Sequence, residues 1–467
     1  MQALTISQLH QIVGGRLRMA TLPPPAGEAA PVGQIVIDSR QIEAGDVFWG
    51  LAGTRHNGGS FAEDAYTRRA AGVVVAGRYV QPAPGCWSLE VDDAAAALTR
   101  LATWNRDRFT GRVVAVTGSV GKTTTRQMIH AVLGHARRGS ASPRNYNNHL
   151  GVPLSLFELA PDHDYAVLEV AASRAGEIDT LAGLIRPEIG VITRLGEAHL
   201  GGFGSPETLV RTKLELLGHL PENGWAILSG DDERLRRAAT AYPRNIVWVG
   251  RSADCDLVAT GVQIQPGRLI FEADGHPFDV PVWGRHHLVG ALAAIAAGKI
   301  FGLSHAEIAA GLAEFTPPPQ RCEISQVGET TIINDTYNAS PTAMRAALEL
   351  LRNFEAPGRR IVVCGDMREL GEQSSEFHRQ LGDEVVTLCG ADMLLACGDH
   401  AHEVASGARQ AGMSPSAVMA CRSPQETLFL LDQALEPGDV VLVKGSRELA
   451  MERLVTALES RVAAKAA

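Results

Sequence analysis

The chain has no run rich in lysine and arginine. A surface that grips nucleic acid needs such a run to neutralise phosphates, so that class of partner is excluded. It also has no Cys-x-x-Cys pair. Its seven cysteines, Cys86, Cys255, Cys322, Cys364, Cys389, Cys397 and Cys421, are scattered and odd in number. They read as small apolar core residues in a reducing compartment, and their spacing predicts no zinc site. The first residues lack a basic stretch followed by an apolar core. Thr5-Ile6-Ser7-Gln8-Leu9 reads instead as the start of a capped amphipathic helix. The apolar stretch Leu288 to Ile300 is too short, and too closely flanked by His, Arg and Lys, to span a bilayer. No membrane span and a cytoplasmic location are expected. No internal repeat occurs, and no low-complexity segment beyond an alanine-rich end.

What is present is an ordinary globular composition, 45% hydrophobic and 20% charged, over 467 residues with a net charge of -9. That length is too great for one core and suggests about three domains. In so acidic a chain, a nucleotide site must gather its few cations locally or recruit metal.

The most informative stretch is Thr117-Gly118-Ser119-Val120-Gly121-Lys122-Thr123-Thr124. Arg112-Val113-Val114-Ala115-Val116 before it is short, β-branched and apolar, as a buried parallel strand would be. Thr124-Thr125-Arg126-Gln127-Met128-Ile129 opens a helix. Strand, glycine turn and helix together make a phosphate loop. Glycines let backbone N–H groups approach phosphate oxygens, and the helix N-terminus favours negative charge. Lys122 can reach the outer phosphates and the Thr123 hydroxyl can ligate Mg²⁺. Val116 stands where the common Gly-x4-Gly-Lys-Thr pattern has its first glycine, so the loop is a shorter variant. The bland alternative is a glycine-rich turn with a solvated lysine.

The predicted fold class is α/β in three domains. Residues 1–108 form a small N-terminal α/β domain, with strands at Ile35-Val36-Ile37 and Gly72 to Val75 and a surface loop from Leu22 to Pro31. Residues 109–317 form a central, doubly wound, mostly parallel sheet carrying the phosphate loop. Its further strands are Tyr165 to Val170, Ile189 to Thr193 and Trp225 to Leu228. Thr316-Pro317-Pro318-Pro319 reads as a linker. Residues 318–467 form a C-terminal Rossmann-like α/β domain with strands at Thr331 to Ile333, Arg360 to Cys364, Met393 to Ala396 and Val440 to Val443.

In parallel α/β sheets, chemistry collects at the carboxyl ends of strands. Glu169 ends a strand and reads as a hard oxygen ligand for Mg²⁺ or as a helix-capping carboxylate. His199 by itself reads as a structural histidine, and Lys213 as a solvated cation on a helix. Asn145-Tyr146-Asn147-Asn148 reads equally as loop chemistry or as neutral donors to an anion. Asp335 and Asn338 follow one strand end. Lys444-Gly445-Ser446-Arg447 follows another, as an anion site or as ordinary capping.

Taken together these segments resemble the Mur ligase family over nearly the whole chain. Asp38-Ser39-Arg40, the phosphate loop, Asn147-Asn148-His149-Leu150-Gly151, Ala198-His199-Leu200, Lys213, Tyr337-Asn338-Ala339-Ser340-Pro341, Gly365-Asp366-Met367 and Lys444-Gly445-Ser446-Arg447 carry the resemblance. The phosphate loop is shared with folylpolyglutamate synthases. The Tyr-Asn-Ala-Ser-Pro, Gly-Asp-Met and Lys-Gly-Ser-Arg segments point to the member that adds D-alanyl-D-alanine, and the Asp-Asn-Pro-Arg signature of the diaminopimelate-adding member is absent. The resemblance implies a monomeric ATP- and Mg²⁺-dependent peptide ligase acting on UDP-N-acetylmuramoyl-tripeptide and D-alanyl-D-alanine. It implies ATP contacts from Thr117 to Thr124, Arg321 and Asp335, and substrate contacts from Ser39, Arg40, Asn147, Asn148, Ser173, Asn338, Lys444 and Arg447. Lys122, Glu169, His199 and Lys213 would be catalytic. Thr123, Glu169, His199 and a CO₂-carbamylated Lys213 would hold metal. The chain departs from the family at Ala171-Ala172-Ser173, at Gln320-Arg321, and at Gly284-Arg285-His286-His287-Leu288-Val289-Gly290, which lacks the family's asparagines.

Overall fold

A computed structural model describes residues 1, 3–53, 56–242 and 245–466. They form two compact units: residues 1–111 with 139–168, and residues 112–138 with 169–467.

In the first unit, four strands run parallel in the order Trp87–Val91, Gly72–Ala76, Val47–Gly50 and Ile35–Val36. Arg16–Met19 pairs antiparallel on the outer side of Trp87–Val91. The predicted N-terminal helix forms at Ile6–Val13, and Thr5 and Gln8 close a reciprocal capping box at its start. The Ile35 strand is one residue shorter than its β-branched run suggests. Gly139–Ala141 pairs in parallel with Tyr165 to Val167 in this unit.

The second unit holds two sheets. The first runs Arg112–Thr117, Ile189–Ile192, Trp225–Ser229, Asn245–Gly250 and Leu257–Gln265 in parallel. Arg268–Ala273 and His276–Val280 then extend it antiparallel, an addition the apolar-run reading did not anticipate. Val113 to Val116 are fully buried, as a strand covered on both faces requires. Burying each such valine stabilises the fold by about 1.5–3 kcal/mol.

The phosphate-loop helix spans Lys122–Ala136, two residues earlier than its apolar pattern suggests. Helices Leu288–Ile300 and His305–Ala313 lie against it. Glycines permit the close approach. A Cβ at Gly311 would sit 2.6 Å from the Val132 backbone, and one at Gly290 would sit 2.8 Å from the Thr125 hydroxyl. Leu288–Ile300 is the apolar stretch noted above, buried around most of its circumference. Among the described residues no helix is long and apolar enough to cross a membrane.

The second sheet has the order Glu323–Val327, Thr330–Asn334, Val440–Lys444, Arg360–Gly365, Met393–Cys397 and Val418–Cys421. Only its first pair is antiparallel. The last strand in sequence inserts between Thr330–Asn334 and Arg360–Gly365. The strand order therefore reverses there, and at such a switch point the carboxyl ends open a crevice. Asp335, Asp366 and Lys444 all stand at those ends.

Candidate active site

The phosphate loop is shaped by backbone rather than by side chains. Gly118 adopts φ +144° and Gly121 φ +88°, values that L side chains rarely take. Gly121 is the residue preceding the first turn of helix Lys122–Ala136. The Thr193 hydroxyl, on the neighbouring strand, donates to the carbonyls of Val120 (2.8 Å) and Thr117 (3.2 Å). Ser119 N–H donates to Arg194 O at 2.9 Å. The loop is thus pinned to the sheet before any ligand arrives.

A Cβ added at Gly118 would lie 2.0 Å from the Thr193 hydroxyl oxygen. Gly118→Ala is therefore expected to push the loop off its anchor and weaken nucleotide binding by more than about tenfold. Titration with a fluorescent ATP analogue checks this, and unchanged affinity would show that the loop tolerates the shift.

Lys122 Nζ donates to the carbonyls of Gly118 (2.9 Å) and Ser119 (3.1 Å). Its pKa is lowered, first by burial of the ammonium and then by Arg321, with the Glu169 carboxylate opposing. Lys122 and Glu169 therefore sense one another. Glu169, 1% exposed at its strand end, also acts electrostatically on Arg126 and Tyr337. The Thr123 hydroxyl accepts from Arg321 Nη2 at 3.0 Å.

Arg321 packs its guanidinium 4.0 Å from the centre of the Tyr337 ring, and Arg447 lies 5.8 Å from the same ring. Arg447 also donates to the Gln320 side chain at 3.0 Å. Cation–π attraction draws both guanidiniums to Tyr337, and Arg321 reaches Thr123 from there. Tyr337 opens the Tyr-Asn-Ala-Ser-Pro motif, and its local sequence assigns it no role. Its position two residues after Asp335 was the available signal.

Lys213 departs furthest from the solvated cation its local sequence suggests. It is 2% exposed, donates to Ala172 O at 3.3 Å, and sits 5.2 Å from the centre of the Phe203 ring. Burial first, and Lys122 second, pull its pKa down to about 7. Glu177 and Glu215 partly oppose that shift. Both carboxylates have further work nearby: Glu177 accepts from Ser173 N (2.7 Å) and Glu215 from Gly176 N (2.9 Å). Ser173 is thereby held beside the Lys213 pocket.

His199 adopts φ +59° at the start of the short helix Leu200–Phe203, and its Nδ1 meets the Glu369 carboxylate. Gly201 N also donates to Glu369 O at 2.9 Å. Glu369 belongs to the Glu369-Leu370-Gly371 segment that follows the Gly365-Asp366-Met367 motif, and its local sequence assigns it no role of its own.

Lys444, Asp335 and Asn338 are brought together as expected, but into an internal network. Lys444 Nζ donates to Asp335 Oδ2 at 2.5 Å and to Asn338 O at 2.9 Å, and it is 3% exposed. It is not the open anion donor its position beside Gly445 suggests.

The remaining candidates lie in the first unit. Asn148 Oδ1 accepts from Leu150 N (3.1 Å) and Gly151 N (2.9 Å), which is helix-start capping. Asn147 stands beside it. Ser39 is buried. Asp38 accepts from Arg40 through backbone and guanidinium at 2.8–3.1 Å, and these bonds hold its carboxyl at about 2.

Of the residues expected to hold Mg²⁺, Thr123 and Glu169 carry hard oxygens of the kind that ion takes. Fold and site together define a phosphate-loop enzyme built on a doubly wound sheet, with a second α/β sheet contributing guanidiniums. Comparison with known proteins narrows the class. Residues 116–298 match the model of the Mur ligase middle domain, and 320–447 that of the Mur ligase, glutamate ligase domain. The UDP-N-acetylmuramoyl-tripeptide–D-alanyl-D-alanine ligase of Bacillus subtilis is 33% identical over 97% of both chains. MurF from Acinetobacter baumannii superposes with a TM-score of 0.84 at 29% identity, covering 98% of this chain and 99% of that one. MurF from Thermotoga maritima in complex with ADP gives 0.78 at 30% identity, over 92% and 98%. The chain belongs to the Mur ligase family.

Proposed function

We propose that the chain joins D-alanyl-D-alanine to the terminal carboxylate of UDP-N-acetylmuramoyl-tripeptide, using ATP. The observation that carries this is the full-length relationship to ligases of that name, together with an intact, pre-anchored phosphate loop. A carboxylate is a poor electrophile, so it must first be activated. One carboxylate oxygen attacks the terminal phosphorus of ATP, the bond to ADP breaks, and an acyl phosphate forms. The amine of D-alanyl-D-alanine then attacks the carbonyl, loses a proton, and phosphate leaves.

In this reading Thr117 to Thr124 cradle the phosphates. Lys122, released from the Gly118 and Ser119 carbonyls, neutralises the transferring group. Arg321 and Arg447, steadied by Tyr337, add positive charge from the second sheet, and Asp335 belongs to the same nucleotide end. Thr123, Glu169, His199 and Lys213 would hold Mg²⁺, which when bound disperses charge on the phosphoryl oxygens. Burial keeps much of Lys213 as the free amine at neutral pH, the form that adds CO₂ and releases a proton. The resulting carbamate replaces a cation by an oxygen donor. The family resemblance assigns substrate contacts to Ser173, Asn338 and Lys444 of the second unit and, separately, to Ser39, Arg40, Asn147 and Asn148 of the first. We assign domain limits of 1–108, 109–317 and 318–467. We place a monomer in the cytoplasm, where ATP is supplied, and sedimentation checks the monomer.

The test uses purified protein, Mg-ATP and both acceptors. ADP release is expected only when tripeptide and dipeptide are both present, with the pentapeptide product seen by mass spectrometry. ADP release that ignores either acceptor would refute the assignment.

A further inference from the structure

Cys322 follows the linker, one residue after Arg321. Its Sγ lies 3.8 Å from His286 Nε2, and His287 is the next residue in the chain. One ligand atom from each of His286, His287 and Cys322 falls within 4.8 Å of the others. The two imidazole rings are 4.0 Å apart between centres. Cys322 is 6% exposed and His287 9% exposed. We propose that His286, His287 and Cys322 form a binding site for a borderline-soft divalent cation of the zinc type. Such a site is separate in chemistry from the hard-oxygen set that suits Mg²⁺.

The donor set selects the ion. Two imidazoles and a thiolate suit zinc, with bonds of about 2.0–2.3 Å and an open fourth position. Mg²⁺ does not take sulfur ligands readily. Tetrahedral bonds of that length place donors about 3.3–3.8 Å apart. The Cys322–His286 separation already meets this, and small side-chain rotations bring in the third donor. Both imidazoles are held neutral, His286 down at about 3, chiefly by burial, so their lone pairs are available at neutral pH. The Cys322 thiol is pushed up, first by burial and then by Asp335. Binding must therefore displace the thiol proton to solvent as the sulfur–metal bond forms. Lys444, Arg194 and Arg321 oppose a cation here, while Asp335 and the new thiolate favour it.

The backbone gives a second, independent reason. Gln320 and Cys322, on either side of Arg321, both take left-handed φ values of +60° and +52°. Neither is glycine, and L side chains keep such values only where their surroundings impose them. A metal bridging Cys322 to the two histidines would hold that strained turn against the start of helix Leu288–Ile300. It would also fix Arg321, whose guanidinium reaches the phosphate-loop residue Thr123. Cation occupancy is therefore expected to tighten the linker around a nucleotide contact.

The full-length protein, stripped with chelator, is titrated with Co²⁺ as a spectroscopic probe and then with Zn²⁺. One equivalent of cobalt is expected to raise a thiolate charge-transfer band in the near ultraviolet, and zinc to abolish it. Cys322→Ser is expected to remove the band. His287→Asn is expected to weaken cobalt binding by more than about tenfold. No band in the wild-type protein at saturating cobalt overturns the proposal, as does an undiminished band in folded Cys322→Ser. If Cys322→Ser does not fold, His287→Asn decides, and unchanged cobalt affinity in that variant overturns it.

Discussion

Lys122→Ala is expected to lower kcat by about a thousand-fold while leaving the thermal unfolding midpoint within a few degrees of wild type. The loop is held by Thr193 and the Arg194 backbone, not by Lys122, so its shape survives the truncation. What disappears is the mobile cation that two carbonyls now hold in readiness. Burial already presses Lys122 toward the neutral amine. A phosphate oxygen relieves that pressure, because it supplies opposite charge where water cannot. The stabilisation is therefore greatest where negative charge is greatest, on the phosphoryl group in transfer. Coupled measurement of ADP release gives the rate, and product formation at the wild-type rate would remove the basis of the proposed mechanism.

The second large effect is expected at Lys213. Lys213→Ala should lower activity by about a hundred-fold or more, with partial recovery when short carboxylic acids fill the space. Unaffected activity would eliminate a role for this residue. Carbamate formation needs the unprotonated amine, so it is expected to increase as pH rises through about 7. Enzyme equilibrated with ¹³C-bicarbonate should show a carbamate carbon signal that grows between pH 6 and pH 8 and is absent from Lys213→Ala. The same shift acts on stability. The folded value near 7 lies below the ordinary 10.5, so below pH 7 both folded and unfolded chains carry the proton and the unmodified, buried cation is fully penalised. Between those values the unfolded chain binds the proton and the folded chain does not. Stability from this residue is therefore expected to rise with pH across that window. A thermal unfolding series on CO₂-depleted protein, compared with Lys213→Met, isolates the contribution.

Much of the fold was legible because parallel strands are buried on both faces and so read as unbroken apolar runs. Arg112–Thr117, Tyr165–Glu169, Ile189–Ile192 and Val440–Lys444 all did. The three strands from Leu257 to Val280 were not. Leu257–Gln265 alternates buried with exposed positions only at its start and then turns mostly outward. Half-solvated strands of that kind carry too weak a pattern to separate from loop. The phosphate loop was legible because its glycines answer a backbone demand that no other residue meets cheaply. The pairing of Glu369 with His199 was not, since nothing local marks a carboxylate that will meet a histidine 170 residues earlier in the chain.

Local chemistry along the chain determined the strands, the glycine turn, and the helix that follows it. Those features depend on dihedral preference and apolar periodicity, which act over a few residues. Tertiary structure alone decided the electrostatic state of the groups. Lys213 has the sequence neighbours of a surface cation, yet packing against Phe203 and Ala172 removes its water and pulls its pKa down to about 7. Lys444 is claimed by Asp335, 109 residues away, before it can serve an open anion site. Solvation and charge pairing depend on what the folded chain brings near, and sequence separation does not encode that.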